Sequence, residues 1–226
     1  MIDFFNLQEL LKKNKENQNS EINHVLINLF PLKSNEENKK NDFENLMNLF
    51  DNLIDLQIEY KIPVFTISLG KKEDIDEEIL EKYQEKLLER AKKFNINITI
   101  FGRWYDFSGF LVEALKVLNN ATKDFDKFFL NICLNYDPKQ EIADACRVII
   151  RKVYDEKLDF DSITPDLIKE NIYSSYFMQP DVIIEPSNKF SGTFLWDSVN
   201  SKIVFLNKEL QKITKEDIQK AISEKI

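Results

Sequence analysis

The stretch PDVIIEPSNKFSGTFLWDSVNSKIVF, from Pro180 to Phe205, sets two short strands around one polar loop. Val182-Ile183-Ile184 is an apolar, β-branched run of the kind that forms a buried strand. A polar loop follows from Glu185 to Gly192, then the aromatic anchor Phe194-Leu195-Trp196, and Lys202 to Phe205 reads as a second strand. Runs that are apolar at consecutive positions imply cover on both faces of a sheet, the habit of parallel sheets in α/β domains.

Working outward, strands alternate with helix-length segments. His24 to Phe30 reads as a strand stopped by Pro31, Val64 to Leu69 as the second, Ile96 to Phe101 as the third and Phe128 to Leu134 as the fourth. Phe43 to Tyr60 places Phe43, Leu46, Met47, Phe50, Leu53 and Ile54 on one helical face. Asp74, with Glu77 three residues on, is expected to cap a charged helix running to Phe94. Further helices are expected over Phe110–Ala121 and Lys139–Tyr154, at Thr164-Pro165-Asp166, and from a Thr214 cap through Ile222 with Asp217 at the box position. Ile2 to Lys13 carries Phe4, Phe5, Leu7, Leu10 and Leu11 at helical spacing, followed by the polar connector to Ser20. It suits a helix packed on its own domain, with a membrane-surface helix as the alternative. No internal repeat or Gly/Ser linker divides the chain. The expectation is one α/β domain over residues 1–226, a mainly parallel six-stranded sheet flanked by helices.

Composition excludes several functions. A net charge of −8 opposes nucleic-acid binding, which needs a basic footprint, and disfavours docking on anionic lipid. Two cysteines in apolar segments, Cys133 and Cys146, are expected to be buried free thiols of a reducing compartment. No run approaches the ~18 apolar residues of a membrane span, so a cytoplasmic protein with at most peripheral membrane contact is expected. His24 is the only histidine, which leaves a Cys/His zinc site or a Ser-His-Asp triad without support and favours a structural role. No G-x-x-x-x-G-K or G-x-G-x-x-G pattern occurs.

The stretch from Pro180 resembles the signature region of the cis-prenyltransferases, the undecaprenyl diphosphate synthase family. There P-D-L-L-I-R-T-S-G-E leads to N-F-L-L-W-Q and S-E-L. Pro180-Asp181, Ile184, Ser187, Phe194-Leu195-Trp196 and Ser201 match, across a shorter loop. Phe128 to Arg147 resembles L-N-I-A-L-N-Y-G-G-R-x-E-I-V-D-A, with Asn131, Ile132, Leu134, Asn135, Tyr136, Glu141, Ile142, Asp144 and Ala145 matching. His24-Val25-Leu26-Ile27 parallels H-V-A-I-I, and Ile100-Phe101-Gly102 the V-I-G turn. The resemblance implies a cis-prenyltransferase-like fold and transfer of an allylic diphosphate onto isopentenyl diphosphate. That reaction needs a carboxylate to hold Mg²⁺ and cations to hold diphosphate.

Those charges are missing. Phe30 stands near the Asp of D-G-N-G-R-W, Arg103 replaces the Asp of V-I-G-D, Glu185 replaces the Arg of R-T-S-G-E and Lys202 the Glu of S-E-L. F-S-T-E-N-W has become Gly70-Lys71-Lys72. A cation near a phosphate is worth ~4 kcal/mol at an effective dielectric of 20, and reversing its sign roughly doubles the difference. No catalytic or metal-binding residue is therefore expected in this chain. The resemblance to the degenerate Nogo-B receptor type, which keeps P-D and F-L-P-W, implies a non-catalytic subunit whose catalytic cis-prenyltransferase partner supplies Mg²⁺. That type ends in R-x-G where this sequence ends Ile222-Ser223-Glu224-Lys225-Ile226, so either the partner is expected to supply its own tail or the complex to work differently. Two alternatives stand: a homodimer that binds an isoprenoid chain without reaction, and an isoprenoid-diphosphate enzyme with a remodelled site.

The remaining site signals are weak. Lys33, Ser34, Ser187 and Lys189, with Lys71 and Lys72, follow strand ends, where an open α/β sheet binds ligands, but solvated lysines are the plainer reading. Asn135, Tyr136, Phe194 and Trp196 are candidates for a partner interface, and Trp104 for a core or interface anchor. Glu141 and Asp144 could pair on a metal, but scaffold roles fit them better.

Overall fold

The computed structural model describes residues 22–30, 38–155 and 157–223. The expected helix over Ile2–Lys13 and the candidates Lys33 and Ser34 lie outside them. Six strands form one parallel sheet: β1 (His24–Asn28), β2 (Val64–Ser68), β3 (Ile96–Phe101), β4 (Phe128–Cys133), β5 (Val182–Glu185) and β6 (Lys202–Phe205), in the order β3-β4-β2-β1-β5-β6. The helices are α1 (Lys39–Glu59), α2 (Glu77–Phe94), α3 (Gly109–Thr122), α4 (Pro138–Tyr154), the short α5 (Pro165–Lys169) and α6 (Lys215–Ser223).

The two sheet faces differ. Val25, Ile27, Phe65, Ile67, Ile98, Ile100, Leu130, Ile132, Val182 and Ile184 point one way into the main core, with Phe43 and Phe50 of α1, Leu87 of α2 and Leu111 of α3. The opposite face is mixed. Leu26, Val64, Phe101, Phe129, Cys133 and Ile183 pack there with Tyr136, Phe177 and Phe194, beside buried His24, Asn28, Thr66, Asn131 and Glu185.

Buried polar groups need partners, and a chain of bonds crosses this mixed face. Asn131 Nδ2 donates to Thr66 Oγ1 at 3.1 Å, Thr66 Oγ1 lies 2.8 Å from His24 Nε2, and His24 Nδ1 lies 2.7 Å from Met178 O. A carbonyl only accepts, so Nδ1 carries the proton and Nε2 accepts from threonine. Burial pushes the imidazole down to about 4, and the histidine is structural.

Two local expectations are corrected. The α2 cap is Asp76, whose Oδ1 accepts from Ile79 N–H at 3.1 Å, while Asp74 closes the preceding 3₁₀ turn. Cys133 is buried, but Cys146 is exposed because the α4 period turns Glu141, Ala145 and Ile149 inward. The sixth strand forms over Lys202–Phe205 as expected; it is an edge, and its side chains are exposed or half-buried. The caps at Thr164 and Thr214 form as expected, accepting from Leu167 N–H and Asp217 N–H.

Candidate functional site

Because all six strands are parallel, their carboxyl ends lie on one edge, where such sheets bind ligands. Register sets the first group of side chains. Ile27 pairs with Ile184, so Asn28 and Glu185, one residue on, emerge side by side at the ends of β1 and β5. Glu185 is 2% exposed. Its Oε1 accepts from Asn28 Nδ2 at 3.0 Å, Ser191 N–H at 2.9 Å and Ser191 Oγ at 2.8 Å. Thr193 Oγ1 donates to Asn28 Oδ1 at 2.7 Å and closes the network. Burial lifts the Glu185 carboxyl above the usual range, against the pull of the Ser191 and Asn28 hydrogen bonds.

A cavity of about 810 Å³ opens beside this network, lined among others by Phe30, Glu185, Ser187, Lys189, Phe190 and Lys208. Of the sequence candidates it gathers Phe30, Glu185, Ser187 and Lys189. Ser187 Oγ accepts from Lys189 N–H at 3.2 Å, so these two form a local turn within the wall. Lys202 is not among the cavity's residues: it begins edge strand β6, with its N–H on Asp181 O at 3.0 Å. Arg103 and Asn135 belong to a different part of the same edge, after β3 and β4.

Two of the expected interface residues are corrected. Phe194 is 0% exposed and Tyr136 is also buried, so neither offers a surface to a partner. The Phe194 ring meets His24, Phe101 and Tyr136 edge-on at centroid distances of 6.3, 5.9 and 6.0 Å. Its N–H donates to Tyr136 Oη at 3.1 Å, and that hydroxyl donates to Glu141 Oε2 at 2.5 Å. Glu141 Oε1 accepts from Tyr173 N–H at 3.0 Å, and burial raises this carboxyl too. Phe194 holds φ 53°, a left-handed value uncommon for a bulky residue, which turns Leu195 outward. Trp196 and Trp104 are half-buried. Asp144 is engaged by Tyr173, Gln140 and Arg147, so Glu141 and Asp144 act as scaffold groups.

The donor groups around Glu185, among the described residues, do not suit a divalent cation. Among the described residues, no group of three or more His, Cys, Asp or Glu side chains is placed to hold a metal ion. Phe30 offers no ligand atom, and the Glu185 oxygen in use already accepts from three donors. Sequence reasoning placed Glu185 at this edge but missed Asn28, Ser191 and Thr193. Small polar residues near strand ends are too common for local pattern to single them out.

No helix among the described residues is long and apolar enough to cross a membrane. Among solved structures, lavandulyl diphosphate synthase from Lavandula x intermedia, in complex with dimethylallyl diphosphate, superposes with a TM-score of 0.79 at 16% identity. The alignment covers 90% of this chain and 94% of that one. A probable undecaprenyl diphosphate synthase from Campylobacter jejuni gives 0.71 at 18% identity, over 91% and 95%. In sequence, the isoprenyl transferase of Thermotoga maritima is 28% identical over 188 residues, 81% of this chain and 66% of that protein. The tritrans,polycis-undecaprenyl-diphosphate synthase (geranylgeranyl-diphosphate specific) of Thermoplasma acidophilum is 28% identical over 136 residues. That match covers 59% of this chain and 53% of the relative, so it spans about half the relative's length. The family described as "Putative undecaprenyl diphosphate synthase" matches residues 7–224. The family match spans nearly every residue and leads to one conclusion: the chain belongs to the undecaprenyl diphosphate synthase-like prenyltransferase family.

Proposed function

We propose that this chain is a non-catalytic subunit of a heteromeric cis-prenyltransferase that makes long-chain polyprenyl diphosphate. The catalytic partner brings Mg²⁺ and the diphosphate-binding cations. Glu185 carries this reading. At the position of the arginine in the resembling motif stands a buried acid whose hydrogen bonds close inside the chain, through Asn28 and Ser191. A diphosphate at the ends of β1 and β5 would meet negative charge where the motif supplies positive. At ~4 kcal/mol for each unit-charge contact at an effective dielectric of 20, the reversal costs more than Lys189 alone restores. Phe30 and Lys202 add to the mismatch. The Phe194–Tyr136–Glu141 frame, by contrast, is fully hydrogen-bonded, which supports a structural role for the chain. Leu195, Val199 and Phe205 are exposed around the frame and offer apolar surface to a partner.

The test is to purify the chain alone, and co-expressed with a D-G-N-G-R-W-containing relative from the same organism, and assay incorporation of labelled isopentenyl diphosphate. Expected are co-purification, no turnover by this chain alone, and greater turnover by the pair than by the relative alone. A second reading, an isoprenoid-diphosphate enzyme with a remodelled site, draws on the open cavity of about 810 Å³ beside Glu185. Turnover by the chain alone would establish it and refute the first reading. Failure to co-purify with any such relative favours a homodimer that binds isoprenoid chains.

A further inference from the structure

The edge formed by the ends of β2, β3 and β4 holds a second cavity, of about 390 Å³, lined by Lys71, Arg103, Asn135, Asp137, Lys139 and Gln140. Its lining has three cations, one carboxylate, two amides and no apolar side chain. In a chain of net charge −8 this is a local reversal of sign. The cations come from three segments: Lys71 follows β2, Arg103 follows β3 and Lys139 lies in the first turn of α4.

Backbone contacts hold these segments together before any ligand arrives. Gly102 has φ +88°, and a Cβ there would stand 2.3 Å from Leu134 O. Arg103 N–H donates to Asn135 O at 3.2 Å. The Asn135 side chain accepts from Lys72 N–H at 3.3 Å and donates to Arg103 O at 3.3 Å, so one residue ties all three loops.

The cations are only partly offset. Lys71 Nζ lies 3.7 Å from Asp137 Oδ2, and Arg103 Nε lies 3.0 Å from Asp106 Oδ2. Asp137 is shared, since its other oxygen caps α4 by accepting from Lys139 N–H and Gln140 N–H. Lys72 is occupied elsewhere, with Nζ on Asp106 O at 2.6 Å and 3.5 Å from Glu77.

We infer that this cavity binds a small polyanion of the phosphate or diphosphate class that carries no apolar tail. Three cations from three loops match an anion of more than one charge, and a guanidinium fork suits its oxygens. Every lining side chain ends in a charged or polar group, and no aliphatic or aromatic residue is present to form a pocket for a hydrocarbon tail. Neither turnover nor a partner subunit is required, so the inference stands or falls apart from the proposed function.

The experiment is calorimetric titration of the purified chain with inorganic diphosphate, repeated with dimethylallyl diphosphate. Inorganic diphosphate is expected to bind, and the hydrocarbon tail to add no affinity. Arg103→Ala or Lys71→Gln should weaken binding about tenfold or more, the loss of one charge-assisted bond, and Arg103→Asp should abolish it. Lys116→Ala, on the exposed face of α3, should leave it unchanged. The Arg103 and Lys71 side chains are 42% and 57% exposed, so these truncations should leave the fold intact, which far-UV circular dichroism checks. Should one of them unfold, the other still carries the test. The inference is overturned by absence of binding or by equal weakening with Lys116→Ala. Markedly tighter binding of the tailed ligand, or loss on Lys189→Ala with Arg103→Ala unaffected, would also overturn it.

Discussion

Glu185 and His24 show how single residues on the mixed sheet face trade charge for hydrogen bonds. Glu185 accepts from three donors, so Glu185→Gln, which keeps an accepting oxygen, should cost no more than about 1 kcal/mol in urea unfolding. Glu185→Arg would turn donors against a buried cation and should cost about 3 kcal/mol or more, with no gain of prenyl transfer. A stable Glu185→Arg variant that turns over substrate, where the wild type does not, would show that this one charge accounts for the proposed lack of activity. His24 titrates near 4 when folded, against 6.5 in the free side chain. Between those values the unfolded chain binds the extra proton. The His24 contribution is therefore complete above pH 6.5, is lost as pH falls towards 4, and amounts to about 3 kcal/mol at most. Glu141 and Glu185 act in the opposite sense. Their folded carboxyls are raised, so they hold protons at higher pH than the unfolded chain does, and acidification favours the fold through them. Unfolding midpoints of wild type and His24→Gln between pH 4 and 7 should diverge in slope; parallel curves would show that His24 does not titrate as its burial requires. The occupant of each of these positions is plain from the sequence. The partners are not, because Asn28 lies 157 residues from Glu185 along the chain.

At the scale of elements, most strands and helices were legible because burial on both sheet faces writes continuous apolar runs, and α1 and α2 carry clear helical periods. The errors fell where local pattern allows two answers. Asp74 and Asp76 both precede the α2 period, and only the register of the 3₁₀ turn selects Asp76. Phe194, Leu195 and Trp196 read as one anchor, but the left-handed backbone at Phe194 separates a buried ring from an exposed leucine. The joint between β4, α4 and this segment rests on Tyr136, whose hydroxyl serves Glu141 and Phe194 together. Tyr136→Phe should cost about 2–3 kcal/mol, more than an average hydrogen bond, because it leaves a buried N–H and a buried carboxyl short of a partner. A loss under 1 kcal/mol in urea melts would show that water replaces the hydroxyl. Gly102→Ala should destabilise more, since the backbone carbonyl of Leu134 blocks the added methyl and the φ disfavours any side chain. Failure of that variant to accumulate as folded protein, judged by its melt, is the expected result.

Over the whole molecule, six parallel strands deliver six carboxyl ends to one edge, and side chains there fall into two groups. Near β1 and β5 the buried Glu185 is satisfied through Asn28 and Ser191, beside an open cavity of mixed charge whose wall carries Lys189, Lys208 and Glu209. Over β2, β3 and β4 the edge is cationic and open. At this scale the proposed function predicts that the chain alone is silent while its pairing with a catalytic relative raises turnover, measured as labelled isopentenyl diphosphate incorporation by the two preparations side by side. The sequence by itself determined the fold class, the strands, the family frame and the loss of the motif charges, since these depend on residue identity and on periods of two and 3.6 residues. Only the tertiary structure decided that Glu185 is buried and satisfied, that Phe194 and Tyr136 belong to the core, and that Lys71, Arg103 and Lys139 share a cavity. Those outcomes depend on strand order and register, which bring distant residues to adjacent strand ends and which no local pattern encodes.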